Sequence, residues 1–318
     1  MVASQSSMLK GVFSPTVTVF TETGFDVAAT QRHMQWLVDS GAHGLCPGGS
    51  GGEFVGLSFE ERQQLIAAGI RASAGRIPVL AGSGCYSTRD TIRLSRWAEA
   101  EGADGFMILV PWLMQPLEQD VADHFRRVRD AVTKPIMMYH PETTGVRLSL
   151  ETMVRLAEEG VLSAAKISQR DPSLARDLKL RVGAGCAVFI GHDACAFEAL
   201  CAGVDGWISG APIVFPRLCV EIFNKVQAGD LEAARRLWSA LTEFVRLEFG
   251  PTPGELPSAH IIAVVKAALA ARGEAVGDPL LPIQPLTGAG LAYVRQVTER
   301  LVSLEAALAI TDRQPAGL

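Results

Sequence analysis

A lysine closes one short apolar run of the sequence, Leu162-Ser-Ala-Ala-Lys166, and a tyrosine closes the run before it, Pro135-Ile-Met-Met-Tyr139. If both runs are strands of one sheet, the two side chains project from neighbouring strand ends. An amine kept out of water there loses the solvation that favours its ammonium form, and the free amine is a nucleophile that forms an imine with a ketone. A phenol beside it can carry protons to and from the imine and the substrate carbonyl. Both residues also have plainer readings. A strand-end lysine can snorkel into solvent, and a strand-end tyrosine commonly fills a core with its hydroxyl satisfied.

A third feature is Gly48-Gly-Ser-Gly-Gly-Glu53, whose four glycines exceed what a tight turn requires. Its backbone N–H groups and the Ser50 hydroxyl suit a carboxylate, and they would suit a small phosphate equally. Glu53, His140 and Gly191-His192-Asp193 raise the alternative of a divalent metal site. No His-x-x-x-His or paired carboxylates stand at ligand spacing, so no metal is expected, and the histidines read as hydrogen-bonded structural groups.

The elements that must position these residues alternate along the chain. Short runs rich in β-branched residues cover 13–20, 44–46, 78–81, 105–109, 135–139, 164–166, 187–190 and 206–209. Segments with apolar spacing of three and four, many opening on a cap or proline, cover 26–40, 58–74, 88–100, 118–131, 149–159, 172–180 and 194–201. The turns Gly102-Ala-Asp-Gly105 and Gly203-Val-Asp-Gly206, with Gly41-Ala-His-Gly44 as a variant, recur where a helix hands over to a strand. Eight such units predict an α/β chain folded as a (β/α)8 TIM barrel, whose reactive groups gather at the C-terminal strand ends. A doubly wound open sheet is the rival. It would need a nucleotide fingerprint, and neither Gly49-Ser-Gly-Gly52 nor Gly82-Ser-Gly84 completes one. Beyond Ser209 the pattern is purely helical, over 216–227, 231–248, 257–271 and 290–308. We therefore expect a barrel over 1–227 carrying the active site. Residues 228–318 form a C-terminal helical extension packed on it as one structural unit, and Gly250-Pro-Thr-Pro-Gly254 is a hinge between helices.

Composition narrows the function. With 318 residues, 20% charged side chains and a net charge of −5, the chain is globular and long enough for one large barrel. No cluster of Lys and Arg interleaves with aromatics, which disfavours nucleic acid and acidic membranes as partners. Six scattered cysteines without a CxxC pair read as buried apolar residues of a reducing compartment. The first ten residues lack the form of a signal peptide, and no apolar stretch is long enough to span a bilayer, so a cytoplasmic protein is expected.

Taken together, the motifs resemble the dihydrodipicolinate synthase / N-acetylneuraminate lyase family of pyruvate-dependent Schiff-base lyases, from Gly11 to about Gly290. Gly49-Ser-Gly-Gly-Glu53, Tyr139 and Lys166 carry the resemblance, supported by Arg76-Ile-Pro-Val-Leu-Ala-Gly82, Gly203-Val-Asp-Gly-Trp-Ile-Ser209 and Leu281-Pro-Ile-Gln-Pro285. The resemblance implies that Lys166 forms the imine with pyruvate and Tyr139 shuttles the proton. It implies that Ser50 and the Gly51 N–H bind the pyruvate carboxylate, with Gly191 and Ile208 lining the pocket. It further implies a homotetramer that needs no cofactor and takes an aldehyde as second substrate.

Departures from the pattern point to the substrate. Gly51 replaces the loop's second hydroxyl. Leu113 stands where true dihydrodipicolinate synthases place a relay tyrosine, and Thr143 where they keep an arginine for the aldehyde's carboxylate. Ala194 replaces the glutamate of N-acetylneuraminate lyases. Ser168, two residues after the lysine, and the Gly-Ser-Gly-Gly-Glu-Phe loop resemble the 2-keto-3-deoxygluconate aldolase branch. The expected activity is therefore a class I aldolase or dehydratase acting on a 2-keto-3-deoxy sugar acid. Dihydrodipicolinate synthase itself and a non-catalytic barrel that binds an oxo acid are the alternatives.

Overall fold

The computed structural model describes residues 9–249 and 260–311. Its eight parallel strands are β1 (Gly11–Pro15), β2 (Gly44–Cys46), β3 (Leu80–Gly82), β4 (Gly105–Leu109), β5 (Ile136–Pro141), β6 (Ala164–Ser168), β7 (Ala187–Ile190) and β8 (Gly206–Trp207). They run in the spatial order β2-β1-β8-β7-β6-β5-β4-β3, and a parallel bridge between Leu45 and Val79 joins the two ends into a barrel. Helices α1 (Val27–Asp39), α2 (Phe59–Ser73), α3 (Thr88–Ala100), α4 (Glu118–Ala131), α5 (Leu150–Glu158), α6 (Ser173–Val182) and α7 (Ala196–Cys201) follow the first seven strands. Short α8 (Ala211–Val214) and then α9 (Pro216–Gln227) follow the eighth. Helices α10 (Leu231–Phe249), α11 (Ile261–Ala271) and α12 (Gly288–Thr311) are the remaining α-helices among the described residues.

Helix starts follow local chemistry. Asp26, Ser58, Ser87 and Ser149 sit at N-caps, and their side chains accept the backbone N–H of Ala29, Glu61, Asp90 and Thr152. The recurring Gly-x-Asp-Gly turns perform one repeated task. The Asp104 N–H donates to Val79 O at 3.0 Å while its carboxylate accepts the Val79 N–H at 2.9 Å. Asp205 makes the same reciprocal pair with Val188, at 2.7 and 2.8 Å. His43 makes it with Val12 through its imidazole, at 2.9 and 3.1 Å. Each device pins the start of one strand to its neighbour.

The last glycine of each turn serves the barrel interior. A Cβ on Gly44 would stand 2.5 Å from the Phe13 ring, and one on Gly105 would stand 2.8 Å from Leu80 Cδ2. The missing side chains make room for Phe13, Leu80 and Phe189, which pack with Met107, Met137 and Ile208 inside the barrel. A larger apolar layer lies between strands and helices.

Several expectations shift. The first strand ends at Pro15, and a two-residue hairpin, Phe20–Thr21 with Gly24–Phe25, follows it. Cys46, Cys186, Cys195 and Cys219 are buried as expected, whereas Cys85 is half-buried and Cys201 is exposed at the end of α7. The proposed hinge at 250–254 and the first residues of the helix expected over 257–271 lie outside the described residues. Among the described residues, no helix is long and apolar enough to cross a membrane.

Replacing Gly206 by alanine should test the interior packing, because the new Cβ would stand 2.5 Å from Phe189 Cδ1. Overpacking of this kind costs about 1–3 kcal/mol. The urea midpoint should fall accordingly, and an unchanged midpoint would show that the interior has slack.

Candidate active site

Strand register brings the lysine and the tyrosine together. Tyr139 on β5 pairs with Lys166 on β6, and Pro141 pairs with Ser168. Neither side chain closes its strand, contrary to the sequence reading. Ladder pairing carries both strands two residues further, so Lys166 and Tyr139 sit within the barrel wall. The alternation of the pleat turns both inward, which rules out snorkelling: Lys166 is 5% exposed and Tyr139 is 9% exposed. Lys166 Nζ lies 3.8 Å from the centre of the Tyr139 ring.

Burial by itself would push the Tyr139 phenol up. The neighbouring Lys166 charge, with hydrogen bonds involving Ser50, Ser168 and Lys166, outweighs it and holds the phenol below its ordinary value. Such a phenol gives up its proton more readily and remains a competent donor. The Ser168 hydroxyl also donates to the Gly191 carbonyl on the β7 side. Gly191 is required there by space, because a Cβ would lie 2.5 Å from Lys166 Cε and close against Ser168 Oγ. Below this layer, burial pushes the Cys46 thiol up to about 12, so it acts as an apolar filler rather than a nucleophile.

The glycine-rich loop after β2 is two short 3-10 turns, Ser50–Gly52 and Phe54–Gly56, joined at Glu53 in the left-handed region (φ 54°). Its glycines answer mainly to close packing. A Cβ on Gly52 would meet Thr16 O at 2.9 Å, and one on Gly51 would meet Ile213 Cδ1 at 3.2 Å. Glu53 is not part of an anion cradle or a metal set. Its carboxylate forms an ion pair with Lys266 of α11 at 2.8 Å and accepts the Leu280 N–H at 2.6 Å. Lys266 also donates to Asp278 O at 2.8 Å. Among the described residues, no three His, Cys, Asp or Glu side chains are grouped to hold a metal.

Ser50, Gly51, Tyr139, Lys166, Ser168 and Gly191 all line one cavity of about 820 Å³. Ile208 does not. It is fully buried in the barrel interior, and the next two residues, Ser209 and Gly210, form the wall instead. The reason is Asp193, a fully buried carboxylate that accepts the Trp207 indole N–H at 2.8 Å and the N–H groups of Gly210 and Ala211 at 2.9 and 3.1 Å. His192 lines the cavity. His140 does not: Gln169 Nε2 lies 3.3 Å from its Nδ1, the Val146 carbonyl lies 3.2 Å from its Nε2, and the Leu148 N–H approaches that same Nε2 at 3.4 Å.

Sequence reasoning missed the contribution of the C-terminal region. His260, Ile261, Ile262 and Val265, with Leu280 to Ile283, close one side of the cavity. The signal was present: Lys266 is the lone charge in Ile261-Ile-Ala-Val-Val-Lys-Ala-Ala-Leu-Ala270, and a buried lysine requires a carboxylate partner.

Comparisons with known proteins agree with the fold. The profile of the dihydrodipicolinate synthetase family matches residues 8–300. A 4-hydroxy-tetrahydrodipicolinate synthase of Fervidobacterium nodosum is 30% identical over 296 residues, 92% of this chain and 99% of that one. The crystal structure of dihydrodipicolinate synthase from Aquifex aeolicus has a TM-score of 0.84 at 28% identity, covering 92% of this chain and 98% of that one. A prophage protein of E. coli K12, of the dihydrodipicolinic acid synthase family and in complex with pyruvate, has a TM-score of 0.85 at 29% identity, covering 93% and 99%.

Two measurements probe the arrangement. Because the Ser50 hydroxyl helps to hold the Tyr139 phenol down, Ser50→Ala should move one tyrosinate titration to higher pH. The chain has only three tyrosines, so absorbance resolves the change, and an unmoved or earlier titration would contradict it. Lys266→Met leaves the Glu53 carboxylate buried without its cation, at a cost of about 3–5 kcal/mol. Chemical denaturation should show that loss, with part of it recovered when Glu53→Gln is added.

Proposed function

The chain belongs to the dihydrodipicolinate synthetase family, and from that premise we propose that this lyase works through a Schiff base on Lys166. One observation carries the reading: a buried lysine amine stands 3.8 Å from the ring of a buried tyrosine on the adjacent strand, both in the wall of a large cavity. In this reading the Lys166 amine adds to the ketone of pyruvate and expels water to give the imine. Loss of a C3 proton then gives the enamine, which attacks an aldehyde, and Tyr139 protonates the new alkoxide. In cleavage Tyr139 takes the C4 hydroxyl proton, the C3–C4 bond breaks, and its electrons pass into the imine. Protonation at C3 and hydrolysis then release pyruvate. Ser50 and the Gly51 N–H hold the carboxylate, and Ser168 keeps the phenol in place.

The substrate we favour is a 2-keto-3-deoxy sugar acid. Leu113 has no hydroxyl to relay a proton, and Thr143 brings no charge to the cavity wall. The hydroxyls of Ser168, Thr143 and Ser209 line that wall and suit a polyhydroxylated chain. Assembly as a homotetramer belongs to the same reading, and the exposed Leu113, Met114 and Leu117 offer an apolar surface for it.

Incubation with pyruvate and borohydride, followed by intact mass and peptide mapping, should place a single reduced pyruvate on Lys166. Lys166→Ala should give no adduct and lose about ten-thousand-fold or more of turnover while keeping its fold. An adduct elsewhere, or retained turnover, would overturn the mechanism.

A further inference from the structure

The loop Gly48-Gly-Ser-Gly-Gly-Glu53 does not place its glycines where backbone conformation asks for them. Of the four, only Gly48 takes a positive φ, +84°, and the residue in the left-handed region beyond them is Glu53, at φ 54°. A side chain makes that conformation unfavourable, whereas glycine adopts it freely. A glutamate kept there is one whose side chain is needed. It is also the only charged residue from Gly48 to Gly56. Its carboxylate pairs with Lys266 at 2.8 Å and accepts the Leu280 N–H at 2.6 Å. Lys266 is itself buried, donates to Asp278 O at 2.8 Å and lies 4.9 Å from the centre of the Phe20 ring.

The backbone of Glu53 faces the other way, toward the reaction. Its N–H donates to Ser50 O at 3.0 Å and closes the 3-10 turn Ser50–Gly52. On one side Thr18 Oγ1 donates to Gly52 O at 2.6 Å. On the other, the Phe54 ring lies 4.9 Å from the Arg62 guanidinium, which is fixed on Gly82 O and Gly84 O at 2.7 and 2.9 Å. Resting on the Schiff-base reading above, we propose that Glu53 is a positioning residue. Its pair with Lys266 sets the place of Ser50 and Gly51, and so gives the site its preference for a 2-oxo acid over a ketone without a carboxylate. The polar atoms of the pair are spent on each other, on Leu280 and on Asp278, so they act through the loop. Hydrogen bonds from the loop to a carboxylate weaken steeply when a donor is displaced. Addition of the Lys166 amine to a ketone needs no carboxylate, so the choice of ketone separates the two.

Borohydride trapping on Lys166 reads the site with pyruvate and with acetone, which carries a methyl group in place of the carboxylate. The variant Glu53→Gln/Lys266→Met removes both charges together, so that no unpaired charge is left buried. In it, half-saturating pyruvate should rise about tenfold, the scale of one lost hydrogen bond to a charged group. The acetone adduct formed at a fixed concentration should stay at the wild-type level. Ser50→Ala should weaken pyruvate in the wild type and add little in the variant, where the hydroxyl is already out of place. An unchanged pyruvate half-saturation, an equal loss with both ketones, or a fully additive effect of Ser50→Ala would overturn the positioning role and leave the Schiff base standing. If the wild-type protein forms no pyruvate adduct on Lys166, the Schiff-base reading fails and takes this proposal with it.

Discussion

A lysine amine placed inside a barrel needs neighbours that neither quench it nor crowd it, and that demand organises the site. Lys166 meets it through three strands. Tyr139 on β5 offers an aromatic face and a hydroxyl, and Ser168 on the lysine's own strand steadies that hydroxyl. Gly191, just past β7, leaves the space the lysine stem occupies. Among the described residues, no carboxylate forms an ion pair with Lys166. Such a pair would hold the ammonium form and suppress the nucleophile. The buried carboxylates nearby are spent elsewhere, Glu53 on Lys266 and Asp193 on the N–H groups of the β8 turn.

Those two carboxylates give the site its walls. Asp193 fastens the end of β7 to the turn after β8, so Ser209 and Gly210 face the cavity while Ile208 stays in the core. Glu53 reaches out of the barrel, and its bonds to Lys266 and Leu280 bring the C-terminal helical region against the glycine-rich loop. The helical extension is therefore part of the pocket. A barrel leaves its C-terminal face open, and here a buried charge pair closes one side of it.

The glycines show how one residue type answers different constraints. Gly102 and Gly203 take positive φ, +101° and +91°, to end a helix and turn into a strand. Gly44, Gly105 and Gly206 are needed for the volume of Phe13, Leu80 and Phe189, and Gly191 for the lysine. Composition alone does not separate these roles, because the need for a missing Cβ comes from a neighbour far away in sequence.

The sequence by itself determined the repeating strand-and-helix order, the equivalence of the Gly-x-Asp-Gly turns, and the candidacy of Lys166 and Tyr139. Each of these is written in local periodicity or in residue type. Caps such as Ser58 and Asp26 were legible for the same reason, since a helix start is satisfied within three residues. Tertiary structure alone decided that β5 and β6 run past the tyrosine and the lysine, that both side chains face inward, and that Ile208 gives way to Ser209 and Gly210. It alone gave Glu53 to Lys266 rather than to a ligand. Register, inward or outward facing, and the partner of a buried charge are pairings between distant segments, and a single chain read in order carries only half of each pair.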